Sequence, residues 1–163
     1  ICLSRIYNIK QLLIRLEQIL KLSSVKTVIV RQHIADKSNL KKILVSPKVK
    51  IQPKNKNLTE FAKECDLVLI GGSGAAIELL YDAVPVVYLN DIDHLWYDPH
   101  KFIENRIIPD FTSQDLACLK LELDNFFDHQ WFANFSNGYS SASSESKELQ
   151  LRLLKEFEYL IRE

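Results

Sequence analysis

The sequence predicts an α/β domain: a parallel sheet with helices on both faces, followed by a long carboxy-terminal helix. Short apolar runs at 66–70 and 85–89 are nearly continuous rather than alternating, as expected for strands buried on both faces, and two further strands are expected at 27–30 and 49–52. Segments of helical periodicity separate them, and strands alternating with helices imply right-handed crossovers and a parallel sheet. A Gly-Gly-Ser-Gly turn at 71–74 joins the run at 66–70 to a helix, and such sheets bind ligands beyond the carboxyl ends of their strands.

Asn8 is placed to cap a helix reaching about Leu22, in which Ile9, Leu12, Leu13, Leu16, Ile19 and Leu20 recur at helical spacing. The run 27–30 is the expected first strand. Ser38 is the expected cap of a helix through about Leu44, and 49–52 is the second strand. Pro53-Lys-Asn-Lys-Asn forms a turn, and a short helix over 58–63 delivers the chain to the third strand at 66. A helix from about Ala75 to Asp82 leads to the fourth strand. Ser113 is the expected N-cap, with Asp115 in the first turn, of a helix to about Phe127. The domain spans 1–135. A Ser-rich linker follows over 136–144, then an amphipathic helix over 145–163 with Leu149, Leu153, Leu154, Phe157, Leu160 and Ile161 on one stripe.

The unit 66–88 carries the most chemistry. Its glycines let the backbone take positive φ and let a ligand approach the main chain. Free N–H groups at the helix start, with the positive end of its dipole, favour a phosphate or another anion, so Gly72, Ser73 and Gly74 are candidate anion-binding residues. Glu78, one turn further on, is placed to accept hydrogen bonds from ribose hydroxyls. Gly-Gly-Ser-Gly matches neither the dinucleotide fingerprint nor the P-loop, since it lacks the spaced third glycine of the one and the Lys-Ser/Thr of the other.

Its surroundings are more specific. An aspartate opening an apolar strand, a Gly/Ser turn, a helix with an early glutamate and then Val-Pro-Val-Val resemble the donor-binding half of GT-B fold glycosyltransferases, in particular those of bacterial capsule and surface polysaccharides. Ala83-Val84 stands where that family usually has a glycine before the proline. The likeness continues through 100–116 to the helix beyond, with Asn105-Arg106 where a glycine usually enters a short strand. It covers residues 26–130. It implies a Rossmann-like domain that binds a nucleotide-sugar and needs no further cofactor. It also implies an amino-terminal acceptor domain or a partner chain that supplies the catalytic base; the last helix docks there, on a second copy, or equally on its own domain. No catalytic residue is identifiable here.

Arg31-Gln-His33 follows the 27–30 strand and so lies at a carboxyl end. It resembles the Arg-x-His-Pro of capsule and sialic-acid-type glycosyltransferases, with Ile34 in place of the proline, and the likeness implies that His33 and Arg31 hold the donor nucleotide or its phosphate. A donor group there would offset the negative charge that builds on a leaving nucleotide. The plainer alternatives are an ordinary loop histidine and an arginine paired at the surface. The segment 90–100 is rich in acids, histidines and aromatics. No spacing in it specifies a metal geometry, and none is expected. Trp96 and Tyr97 are candidates to close the pocket, and His94 to touch a phosphate.

Composition bounds the rest. With Lys+Arg and Asp+Glu equal at 21 each, no overall field draws the chain to nucleic acid, although peripheral membrane association stays open. Cys2, Cys65 and Cys118 are too few and too dispersed for a disulfide framework or a zinc site, which fits reduced thiols in the cytoplasm. No run approaches a spanning helix. The lack of any methionine suggests a piece of a longer protein. Three functions compete: a glycosyltransferase donor half, a nucleotide-sugar 2-epimerase with the same fold, and a non-catalytic interaction domain. Epimerases of that type usually carry two consecutive glutamates near the helix start, where only Glu78 stands.

Overall fold

In the computed structural model, residues 1–94, 98–127 and 131 are described. The expected linker and carboxy-terminal helix, and Trp96 and Tyr97, lie outside them.

The described chain is α/β. Helix α1, Ile9–Lys21, starts at Asn8, whose side chain accepts the Lys10 and Gln11 N–H groups, and it buries Leu12, Arg15, Leu16 and Ile19. Strand β1, Val28–Val30, pairs parallel with β2, Val49–Ile51. Strand β3, Val68–Ile70, pairs parallel with β4, Val86–Tyr88. Helix α2, Leu58–Ala62, precedes β3 and opens with a capping box between Asn57 and Glu60. Helix α3, Ala75–Tyr81, joins β3 to β4.

The two strand pairs are joined by residues 1–3. Cys2 forms parallel bridges with both Arg31 and Ile70. Its N–H donates to the Leu69 carbonyl at 2.9 Å, and the Leu3 N–H donates to the Arg31 carbonyl at 3.0 Å. On the far side Tyr88 bridges Asp110 in parallel. The extended segments therefore lie in the spatial order β2, β1, 1–3, β3, β4, 109–111. The run 27–30 supplies the first strand, as expected, and a bridged extended segment at 1–3 precedes it in the chain. Three residues are too few to show a period, so the sequence gives no sign of the earlier one.

Alternation along these segments separates two cores. Cys2, Val68, Ile70, Val86 and Tyr88 face Phe61 and Ala62 of α2 and Ala76, Leu79 and Leu80 of α3. Ile1, Leu3, Val28, Val30, Leu69, Val87 and Leu89 face Leu12, Leu16 and Ile19 of α1. Helices cover both faces, and for that reason β3 and β4, buried throughout, read as unbroken apolar runs, whereas β2 alternates with Lys50 exposed.

Two helix starts differ from expectation. After Ser38 there is only a 3-10 turn, Leu40–Lys42. The Ser38 hydroxyl is engaged by Tyr7 Oη at 2.6 Å and Asp36 Oδ2 at 2.9 Å, so it ties down the loop instead of capping a helix. Further on the cap is Asp115 rather than Ser113. Its carboxylate accepts the Ala117 N–H at 2.9 Å and starts a 3-10 turn, Leu116–Cys118, that runs into α4, Leu119–Phe126.

One buried ion pair fastens α1 to the loop after β4. Arg15 Nε donates to Asp91 Oδ2 at 2.9 Å, with side-chain exposures of 8% and 13%, and its guanidinium also reaches Gln18 and the Thr112 carbonyl. The cysteines are free thiols; burial raises the Cys2 thiol and pushes Cys65 up to about 11, so neither is a ready nucleophile. No helix among the described residues is long and apolar enough to cross a membrane.

Candidate functional site

Four carboxyl ends meet at one place. Residues 1–3 run into Ser4-Arg5-Ile6, β1 into His33, β3 into the glycine turn, and β4 into Asp93. Together with Pro99 they line a half-open pocket of about 280 Å³. His33, Gly72, Ser73 and Gly74 are thus brought together as expected, although they lie far apart in sequence.

Asp93 organises this pocket. It is only 2% exposed; one carboxylate oxygen accepts from the Ser4 hydroxyl and the other from the Gly72 N–H. The chain reaches this position by running 6–8 antiparallel to 92–94, with the Asn8 N–H donating to the Ile92 carbonyl at 2.8 Å. Burial raises the Asp93 carboxyl above the ordinary carboxylate range, against the lowering effect of its Ser4 and Gly72 hydrogen bonds and of His94.

This changes the reason for the glycines. None of them has positive φ, contrary to expectation. They provide room instead: a Cβ on Gly71 would lie 2.6 Å from Asp93 Cγ, and one on Gly72 would lie 3.3 Å from Asp93 Oδ2. The Gly72 N–H, expected to be free for a ligand, already serves Asp93. The Ser73 N–H turns back to the Gly71 carbonyl at 2.8 Å, and the Ser73 hydroxyl accepts the Ala75 N–H at 3.4 Å. Among the residues of the turn, Gly74 keeps an N–H with no acceptor among the described residues. A Cβ there would sit 3.6 Å from His100 Nε2.

His33 is partly buried, and its Nδ1 accepts the Ala35 N–H at 3.1 Å. In the neutral ring that bond places the proton on Nε2, which becomes a donor for whatever enters. Arg5 supplies a cation to the same wall.

The other expected residues lie elsewhere. Arg31 donates from Nη1 to Gln52 Oε1 at 2.7 Å and to the Lys56 carbonyl at 2.9 Å, so it clamps the turn after β2. His94 is exposed, and its N–H donates to the Ile6 carbonyl at 3.3 Å. Glu78 is exposed on α3, one turn beyond Gly74 on the same helix face and outside the pocket wall. Ser4, Arg5 and Asp93 escaped the sequence reading as pocket residues. Recognising 1–3 as an extended segment would have placed Ser4 and Arg5 at a carboxyl end, where ligands are expected. No group of three or more His, Cys, Asp or Glu side chains is arranged to hold a metal among the described residues.

Comparison with known families, curated proteins and solved structures finds no match to this chain.

Proposed function

We propose that the pocket binds a nucleotide-sugar and that this chain is the donor-binding half of a glycosyltransferase. The observation that carries the reading is the convergence of His33 and Gly72–Gly74 on one pocket. The glycine turn suits an anion by its place at a helix start, and His33 matches the Arg-x-His of capsule-type glycosyltransferases.

Two further features support it. Counting 1–3 and 109–111 as strands, the spatial order is 3-2-1-4-5-6, that of the doubly wound nucleotide-binding fold, and the pocket lies where that order reverses. In addition, Ala83 and Arg106 have φ of 62° and 53°, in the left-handed region that favours glycine. These are the two places where GT-B enzymes usually carry glycine.

The pocket has two chemical sides. Arg5, His33 Nε2 and the Gly74 N–H are donors suited to phosphate oxygens. Asp93 keeps unused lone pairs for the hydroxyls of a sugar. A nucleoside leaving the pocket over Gly74 meets Glu78, which accepts from ribose. The acceptor site and the catalytic base belong to another domain or chain in this reading. His33→Ala should weaken binding of the preferred nucleotide about tenfold or more, the scale of a hydrogen bond to a charged group, while the thermal unfolding of the free protein changes little. Unchanged affinity in equilibrium dialysis would remove His33 from the site.

A further inference from the structure

We propose that the β2 edge and the loop before it form a docking surface for an anionic membrane. The chain is neutral overall, yet seven lysines and no acidic residue fall between 37 and 59. Lys54 and Lys56 are engaged, by the Asp36 carbonyl and the Glu64 carboxylate. Lys37, Lys41, Lys42, Lys48 and Lys50 are exposed and have no ion pair among the described residues.

Lysines on an edge strand often serve only to prevent edge-to-edge pairing. Two apolar residues among them point to more. Val45 is 85% exposed and Ile43 is 43% exposed. Leu40 and Leu44, in the same segment, are buried in the core, so the segment is anchored with Ile43 and Val45 directed outward. Lys50 is exposed on β2 and Lys48 on the turn that leads into it. A cationic surface around exposed aliphatic side chains matches the boundary between anionic headgroups and acyl chains. Nucleic acid is the poorer fit, because 37–56 contains neither arginine nor an aromatic residue on which a base could stack. Lys48 precedes β2 at its amino end, whereas the pocket opens at the carboxyl ends of the strands.

The test uses the whole 163-residue chain and flotation with vesicles of phosphatidylcholine alone or mixed with phosphatidylglycerol. Binding should require the anionic lipid and weaken as salt shortens the screening length from about 10 Å at 0.1 M to about 3 Å at 1 M. Each lysine near an anionic surface strengthens partitioning roughly fivefold, so Lys48→Glu with Lys50→Glu should reduce it more than about twentyfold. Val45→Ser should reduce it roughly tenfold without changing the charge. All are surface changes, and unaltered circular dichroism confirms folding. Failure to float with anionic vesicles at low salt, or indifference to Lys48→Glu with Lys50→Glu, overturns the proposal. So does tight binding of a single-stranded oligonucleotide through the same lysines by a chain that ignores vesicles.

Discussion

Gly71 and Asp93 fit each other: the carboxylate occupies the space a side chain at 71 would need, with Cγ 2.6 Å from where that Cβ would lie. The glycine turn is shaped around an acid supplied by the chain itself. On the proposed reading, an incoming phosphate would meet Arg5, His33 and Gly74 rather than the N–H of Gly72, which Asp93 already engages.

Gly71→Ala should destabilise the protein by about 1–3 kcal/mol, the usual cost of forcing an extra methyl into filled space. With Asp93→Ala already present, the same change should cost much less, because the clashing group is gone. Urea unfolding of the four proteins in this cycle measures the coupling. An equal cost in both backgrounds would show that the Cβ meets something other than Asp93.

The raised Asp93 carboxyl has a definite pH signature. A carboxyl whose folded value lies above its unfolded value stabilises the protein fully below the unfolded value, about 4, and this contribution is lost as pH rises through the folded value. Asn at 93 cannot ionise. Asp93→Asn should therefore gain on the wild type as pH rises from about 4, levelling off once Asp93 is ionised in both states. Unfolding free energies across that range give the answer, and a variant that instead loses ground would mean hydrogen bonding outweighs burial.

Arg15 and Asp91 form a pair whose members depend on each other. Arg15→Met leaves Asp91 buried without its partner and should cost about 3–5 kcal/mol. Replacing both by leucine should recover much of that loss, since no buried charge remains. Chemical denaturation distinguishes the two cases.

Arg106 is exposed, and its φ of 53° strains any residue with a Cβ. Arg106→Gly should stabilise the protein by up to about 1 kcal/mol, or roughly 2–4 °C in melting temperature. Ala83 is strained in the same way but contributes its methyl to the core, so glycine there should gain less. A lower melting temperature for Arg106→Gly would show that its side chain makes contacts worth more than the strain.

Much of this molecule was legible in its sequence. The apolar runs of β3 and β4 and α1 with its Asn8 cap announce themselves because continuous hydrophobicity and helical spacing extend over enough residues. His33 and Gly72–Gly74 could be selected because strand ends in such sheets are where ligands bind. Asp93 could not be recognised, since its place in the pocket depends on 6–8 running beside 92–94, a pairing with no local pattern. Arg31 shows the converse. Its position after β1 was right, but its side chain turns to Gln52 and Lys56, partners fixed only by tertiary structure. Ser38 likewise carries a helix-capping side chain, yet tertiary contacts with Tyr7 and Asp36 took it elsewhere.

The decisive measurement is a thermal-shift screen of this chain and its Ser73→Trp variant against UDP, GDP, CMP, CDP, TDP and ADP. At about a hundredfold excess over its dissociation constant, a specific nucleotide adds roughly 2.7 kcal/mol, or about 5–10 °C for a domain of this size. One nucleotide should raise the melting temperature of the wild type selectively, and the indole at 73, filling the pocket, should abolish that shift. No shift with any nucleotide, or a shift that survives Ser73→Trp, would contradict a nucleotide-sugar site in this pocket.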